Sequence, residues 1–178
     1  MTLNGKIALV TGASSGIGAA TARKLAENGV RVGLAARRLD RLEAIQQQIR
    51  AAGGDAVAIE MDVTEAASVN AGTEKLAAAY GAIDIVFNNA GLMPASDVET
   101  LKVAEWHRMV DVNVKGVLNT TAAVLPYMIR QRSGHIINTS SIAGRKVFRP
   151  SLSTAPAASP HRSPLTLAAS LPSQSRHP

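Results

Sequence analysis

The sequence contains no cysteine, which removes disulfides, thiolate metal ligands and cysteine nucleophiles together and fits a reducing compartment. Aromatic residues make up only 3%, so a core must be built from Ala, Val, Ile and Leu, as in a parallel sheet covered by helices. No apolar run reaches the roughly 18 to 20 residues a membrane-spanning helix needs. The opening Met-Thr-Leu-Asn-Gly-Lys also lacks a basic segment followed by an apolar one. The expectation is a cytoplasmic protein without membrane contact. Acidic residues are missing from the last third: all 13 Asp and Glu lie at or before Asp111, where they face 11 Lys and Arg, while residues 112–178 carry 8 basic side chains. The net charge of +6 therefore belongs to one end of the chain. Apart from histidine, Phe148 is the one aromatic ring after Tyr127, so the basic end lacks the stacking rings of a nucleic-acid surface, and no nucleic-acid partner is expected.

What is present suits a globular protein: 178 residues, 46% apolar and 18% charged, enough for one domain with a sizeable core. From Lys6 to about Ser141, short β-rich runs alternate with longer helical ones. The strands read as Ile7–Thr11, Arg31–Ala35, Ala56–Met61, Ile83–Asn88 and His135–Thr139. Helical patterns occupy about 16–28, 39–52, 65–79 and 100–131, the last as two helices. Gly29, Gly53-Gly54 and Gly81 fall where helices should stop. Strand–helix alternation with right-handed crossovers predicts an α/β fold, a doubly wound parallel sheet of about five strands. After Pro150 the character changes. Residues 151–178 hold five prolines, seven serines, no glycine and no acidic residue. Prolines at 156, 160, 164 and 172 break any helix of average length. The predicted organisation is a domain over 1–150 and a low-order, disordered tail over 151–178.

The most informative segment is Thr11-Gly12-Ala13-Ser14-Ser15-Gly16-Ile17-Gly18, placed between a β-branched run and a helical pattern. Gly12 permits a tight turn, Gly16 lets backbone approach a pyrophosphate, and Gly18 allows close helix packing. The helix N-terminus supplies oriented N–H groups for the anion. A glycine-rich turn without ligand is the plain alternative.

The turn has the spacing T-G-x-x-x-G-x-G and is followed in order by Asp62-Val63, Asn88-Asn89-Ala90-Gly91, Asn113 and Ser140-Ser141. Over about residues 3 to 150 this series resembles the short-chain dehydrogenase/reductase family. The resemblance implies a Rossmann-type fold, a nicotinamide dinucleotide, and hydride transfer between an alcohol and a carbonyl of a small molecule. Carried onto this chain, it implies cofactor contacts at Gly12, Ser14, Ser15, Gly16, Ile17, Gly18, Asp62, Val63, Asn89, Ala90 and Gly91. Asp62 would accept a hydrogen bond from the adenine amino group, with Val63 against the ring; an Asx-type cap for the helix beginning near Thr64 accounts for the same residue equally well. Asn88 would stitch neighbouring strands. At the end of the second strand, where NAD sites place a carboxylate on the ribose hydroxyls, this chain reads Ala35-Ala36-Arg37-Arg38. Two guanidinium groups and no carboxylate favour NADP(H) over NAD(H).

The same resemblance exposes a break. The family's chemistry uses an asparagine, a serine, a tyrosine and a lysine four residues after the tyrosine. Asn113 and Ser141 match the first two as catalytic candidates. The tyrosine position, thirteen residues beyond the serine, holds Thr154, and the lysine position holds Ala158. Tyr80 and Tyr127 are followed four residues later by Asp84 and Gln131, so no Tyr-x-x-x-Lys exists. Lys146 reads as a loop lysine. Removing the positioned phenol costs two to four orders of magnitude in the proton step, and little or no turnover is expected. The break coincides with the composition change, as a frameshift or truncation after about residue 150 would produce. The fifth strand should then keep an unpaired edge, a hazard for aggregation, and the homo-oligomer that the family's long helix helps to build should be weakened. Two other readings follow: a nucleotide- or partner-binding module without chemistry, and a truncated product that does not fold stably. Met93 and Trp106 read as packing residues rather than substrate contacts.

Overall fold

The computed structural model describes residues 3–94, 100–141 and 166–171. Five strands, β1 (Ile7–Thr11), β2 (Arg31–Ala36), β3 (Asp55–Glu60), β4 (Ile85–Asn88) and β5 (Gly134–Thr139), run parallel in the order β3-β2-β1-β4-β5. The helices are α1 (Gly16–Glu27), α2 (Leu39–Ala51), α3 (Ala66–Tyr80), α4 (Val103–Val110) and α5 (Gly116–Gln131). This is the expected doubly wound arrangement, and the strand order reverses direction between β1 and β4. At such a switch point the loops leaving two adjacent strands diverge to opposite faces and open a crevice at the carboxyl ends of the strands.

β1 is buried at all five positions, because a central parallel strand is covered on both faces and needs apolar side chains throughout. Its residues still alternate between two cores. Ala8 and Val10 join Leu34, Leu42, Ile45 and Phe87 on one face; Ile7 and Leu9 join Ile59, Leu76, Val86 and Met128 on the other. α1 buries Gly18, Ala19, Ala22 and Ala26, a stripe of small residues that brings its axis close to the sheet. α5 buries Gly116, Thr120, Val124 and Met128, one residue in four along a single stripe. α3 stops at Gly81, whose φ of 84° is the left-handed stop that glycine adopts without strain.

The segment predicted as two helices is α4 and α5 joined by a π-helical turn, Asp111–Lys115. β4 begins two residues later than the sequence pattern indicates, because Asp84 serves as a junction instead. Its backbone N–H donates to the Ile7 carbonyl and its carbonyl accepts from His135 N–H. Its carboxylate accepts from Lys6 Nζ at 2.7 Å and from Ile7 N–H at 2.9 Å.

The open edge expected for β5 is not found. Thr166–Leu171 forms a sixth strand, β6, antiparallel to β5, with Thr139 opposite Thr166 and Gly134 opposite Leu171. The edge of β5 is therefore paired. The physical reason is the spacing of the prolines: Pro164 and Pro172 exclude a helix of average length but leave room for a six-residue strand, and an open ladder edge is a template for any such segment.

Replacing Asp84 with alanine should lower the unfolding free energy by about 1–3 kcal/mol, since Ile7 N–H and Lys6 both lose their acceptor. Urea denaturation of the two proteins side by side measures it, and an unchanged midpoint would show that the junction carries no weight.

Candidate functional site

The glycine-rich turn leaves β1 and the Asn89–Gly91 turn leaves β4, so both emerge at the switch point. Thr11, the last residue of β1, joins them. Its hydroxyl accepts hydrogen bonds from the backbone N–H of Asn89 and of Ala90, each at 3.0 Å, and donates to the Phe87 carbonyl at 3.3 Å. Asn89 Nδ2 returns a bond to the Thr11 carbonyl at 3.1 Å. Sequence reasoning quoted Thr11 only as the first letter of a motif. Its signal is a hydroxyl at the end of an otherwise apolar, fully buried strand.

Gly12 and Gly16 take positive φ, 67° and 56°, which bends the chain from β1 into α1. Gly18 serves a different need. A Cβ there would lie 2.5 Å from the Gly12 carbonyl oxygen and 2.6 Å from Asn89 Nδ2, so the helix start fits against the turn only without a side chain. Ile17 points outward, 55% exposed.

A cleft of about 300 Å³ opens above these turns, lined by Gly12, Ser14, Ser15, Arg37, Arg38, Asp62, Val63, Asn89, Ala90 and Gly91 among others. Ten of the thirteen residues proposed from sequence to hold a cofactor thus converge on one cavity. Gly16, Ile17 and Gly18 shape the turn below it without lining it. Arg38 Nη2 donates to Ser14 Oγ at 3.0 Å and to Ser15 Oγ at 3.3 Å, which gathers a cation and two hydroxyls at the mouth of the turn.

Asp62 fills the capping role and keeps its second oxygen unengaged. Thr64 donates through its backbone N–H at 3.0 Å and its hydroxyl at 2.8 Å, both to Asp62 Oδ1, which is an Asx turn before α3. Oδ2 keeps its lone pairs for a further donor. Partial burial pushes the carboxyl pKa up, but the two Thr64 bonds, with Arg37 and Arg108 nearby, outweigh burial and hold it below the ordinary carboxylate value. At neutral pH it is an anion.

At the other end of the cleft, Asn113 sits within the π-helical turn. Its Nδ2 donates to the Leu92 carbonyl at 2.8 Å and its Oδ1 accepts from Leu92 N–H at 2.9 Å. This two-point clamp ties the helix to the residue that follows Gly91. Ser141 lies exposed two residues beyond β5. β4 and β5 pair with Asn88 opposite Asn138, so Gly91 and Ser141 each lie three residues beyond that pair, at the same pole of the sheet. Asn88 Nδ2 donates to Asn138 Oδ1 at 2.8 Å, the strand-stitching expected of it. Thr154, Ala158 and Lys146 lie outside the described residues. Met93, expected to pack, is 61% exposed: it follows the turn where the chain leaves the sheet, and no core reaches it.

Neither described tyrosine is placed to act as an acid or base in this cleft. Tyr80 ends α3 and donates to Asp55 Oδ1 at 2.8 Å, beneath Arg31. Arg31 and Asp55 are the first residues of β2 and β3, at the pole opposite the cleft. Burial, followed by the Asp55 carboxylate, pushes the Tyr80 phenol upward, away from proton exchange at neutral pH. Tyr127 packs under Arg130 at 4.7 Å and lines a separate groove with Asn70 and Glu74.

A strand, a three-glycine turn, an acidic residue after β3 and an Asn-Asn-Ala-Gly turn meet at one cleft, with a helical asparagine clamped beside it, and the family model described as short chain dehydrogenase matches residues 6–155. The chain belongs to the short-chain dehydrogenase family. An uncharacterised oxidoreductase of Listeria innocua is 51% identical over 148 residues, covering 83% of this chain and 60% of the relative. Among solved structures, a metagenomic short-chain oxidoreductase in complex with NADP is 42% identical with a TM-score of 0.76, covering 83% of this chain and 67% of that one. An NAD+-bound xylitol dehydrogenase is 36% identical with a TM-score of 0.79, over 83% and 57%. This short-chain dehydrogenase thus spans about 60% of the length of the curated relatives it matches. Among its described residues, no helix is long and apolar enough to cross a membrane.

Two substitutions probe the frame of the cleft. Thr11→Val keeps the shape but strands the N–H groups of Asn89 and Ala90, and should destabilise the fold by about 1–3 kcal/mol, read by chemical denaturation. Gly18→Ala should cost a comparable amount, because the clash is with backbone that cannot rotate away. Wild-type stability in the alanine variant would mean that the turn and helix start do not touch as described.

Proposed function

We propose that this chain is a dinucleotide-binding short-chain dehydrogenase unit that prefers NADP(H) to NAD(H) and turns over slowly or not at all. The carrying observation is the end of β2. Ala36 stands where an acidic side chain would repel a 2′-phosphate, and Arg38 rests on Ser14 and Ser15 across the cleft mouth. A 2′-phosphate entering there would meet guanidinium and hydroxyl donors, with no carboxylate on β2 itself. The NADP complex of the metagenomic relative supports this choice, while the NAD+-bound relative shows that the fold alone does not decide it.

In this reading the glycine turn and the N-terminus of α1 receive the pyrophosphate, Asp62 and Val63 the adenine, and Asn89, Ala90 and Gly91 the cofactor's far half. A bound nicotinamide would supply or accept the hydride exchanged with a small alcohol or carbonyl compound. Ser141 would orient the substrate oxygen and Asn113 the proton path. Thr154 and Ala158 occupy the tyrosine and lysine positions, and neither side chain can shuttle a proton or carry a cation. The unit extends over 1–150, with 151–178 as a Pro/Ser-rich tail, and it works in the cytoplasm. A change of reading frame near residue 150 accounts for the altered composition. Translating the coding DNA in the other two frames tests this: one of them should restore a Tyr-x-x-x-Lys.

A second reading, a binding module without chemistry, is favoured by the π-helical turn and α5. Val114, Leu118 and Ile129 are 52%, 62% and 60% exposed, an apolar stripe suited to a second copy or another protein. Measurable turnover would exclude the second reading.

Fluorescence titration of the full chain should show saturable binding of NADPH at least about tenfold tighter than NADH, the gap closing when Arg37 and Arg38 are replaced by alanine. Equal affinities, or no binding, would overturn the reading. Carbonyl reduction by the full chain should run two to four orders of magnitude below that of a relative with the Tyr-Lys pair.

A further inference from the structure

Next to the cleft, and sharing Arg37 and Asp62 with it, lies a second cavity of about 400 Å³ whose other wall is helical: Glu65, Arg108, Asp111 and Lys115 all line it. The residues of that wall differ in what they can do. Asp111 and Lys115 pair with each other at 2.6 Å, one turn apart across the π-helical segment, so their charges cancel at a distance. Glu65 precedes α3 and repels a carboxylate. Arg108, in the last turn of α4, is the remaining cation. Arg108 and Arg37 line this cavity together with Asp62, and the charges of both favour its carboxylate form.

Resting on the dinucleotide reading above, we propose that Arg108 is a positioning residue for the adenine end of the cofactor. It acts through Asp62, holding the Oδ2 carboxylate charged and aimed while a nucleotide base covers it. The need follows from burial. A base laid on Asp62 strips water from a carboxylate that already lies partly inside, and desolvation favours its protonated form. A protonated carboxyl no longer offers two acceptor oxygens to an exocyclic amine. Thr64 bonds only Oδ1, so Oδ2 depends on the surrounding charges. Arg37 has a second task at the ribose in the proposed complex, and its field is then shared with the phosphate. Arg108 has no such rival.

The inference also gives α4 a role. This helix contributes no side chain to either core, and an exposed helix held mainly at its junction with the π-helical turn becomes part of the nucleotide site through one guanidinium.

A double-mutant cycle on the full chain tests it, with NADPH affinity as the readout and Arg108→Ala, Asp62→Asn and the double variant compared with wild type. Arg108→Ala should weaken NADPH binding about threefold to tenfold, and Arg108→Lys should recover most of the loss. In the Asp62→Asn background the same alanine change should alter affinity by less than about twofold, since the anion it serves is gone. Arg108 is exposed, and its variants should melt with wild type. An equal loss in both backgrounds would mean that Arg108 acts on the nucleotide directly and overturns the proposal, as would no loss in either. Absence of NADPH binding by the wild type is a different result: it removes the dinucleotide reading itself.

Discussion

Thr11 Oγ1 accepts two backbone N–H groups from the turn after β4 while donating to the Phe87 carbonyl, and the whole carboxyl pole of the sheet depends on that arrangement. Parallel strands align β1 and β4 but say nothing about how their trailing loops meet. The hydroxyl sets the distance. With Asn89 held against β1, its amide lies where a Cβ on Gly18 would be, so helix start, glycine turn and Asn-Ala-Gly turn fit as three parts of one joint. Each unpaired amide inside such a joint costs about 1–3 kcal/mol, a large share of a domain's marginal stability.

The cleft built on this joint is electrically lopsided. Arg37 and Arg38 line one part of it together with the Asp62 carboxylate, whereas the Asn89–Gly91 side carries amides. A polyanionic ligand would be drawn in and oriented by that asymmetry before any specific contact forms. The phenols sit elsewhere, and Tyr80 is fixed at the opposite pole in a setting that disfavours its ionisation. Among the described residues, the glycine, hydroxyl and arginine groups proposed to hold a nucleotide converge on the cleft, and the two tyrosines do not join them.

Much of this was legible in the sequence for a physical reason. The strands are continuous β-branched or apolar runs, and the phosphate-type turn advertises itself through glycines that only special backbone angles require; both are local properties. What escaped was long-range or conditional. Thr11 finds partners 78 and 79 residues away, and no pattern announces them. Asp62 satisfies the turn with one oxygen and leaves the other for a ligand, a division that residue identity cannot express. The role of Arg108 requires knowing that α4 passes beside the end of β3. β6 escaped because its sequence, Thr-Leu-Ala-Ala-Ser-Leu, lacks the alternation of a half-buried strand and acquires its conformation from the ladder it joins.

The π-helical turn at Asp111–Lys115 has a consequence for how the long helical region relates to its own sequence. A wider ring takes in one more residue than an ordinary turn, so everything downstream is rotated by roughly 100° relative to a continuous helix. α4 and α5 are therefore out of phase: the four-residue ladder of Gly116, Thr120, Val124 and Met128 is no extension of any face of α4. The region behaves as two gears joined by a slipped tooth. Its phase is locked at the slip by Asn113 on Leu92, so the extra residue sets both which side of α5 meets the sheet and where the asparagine stands.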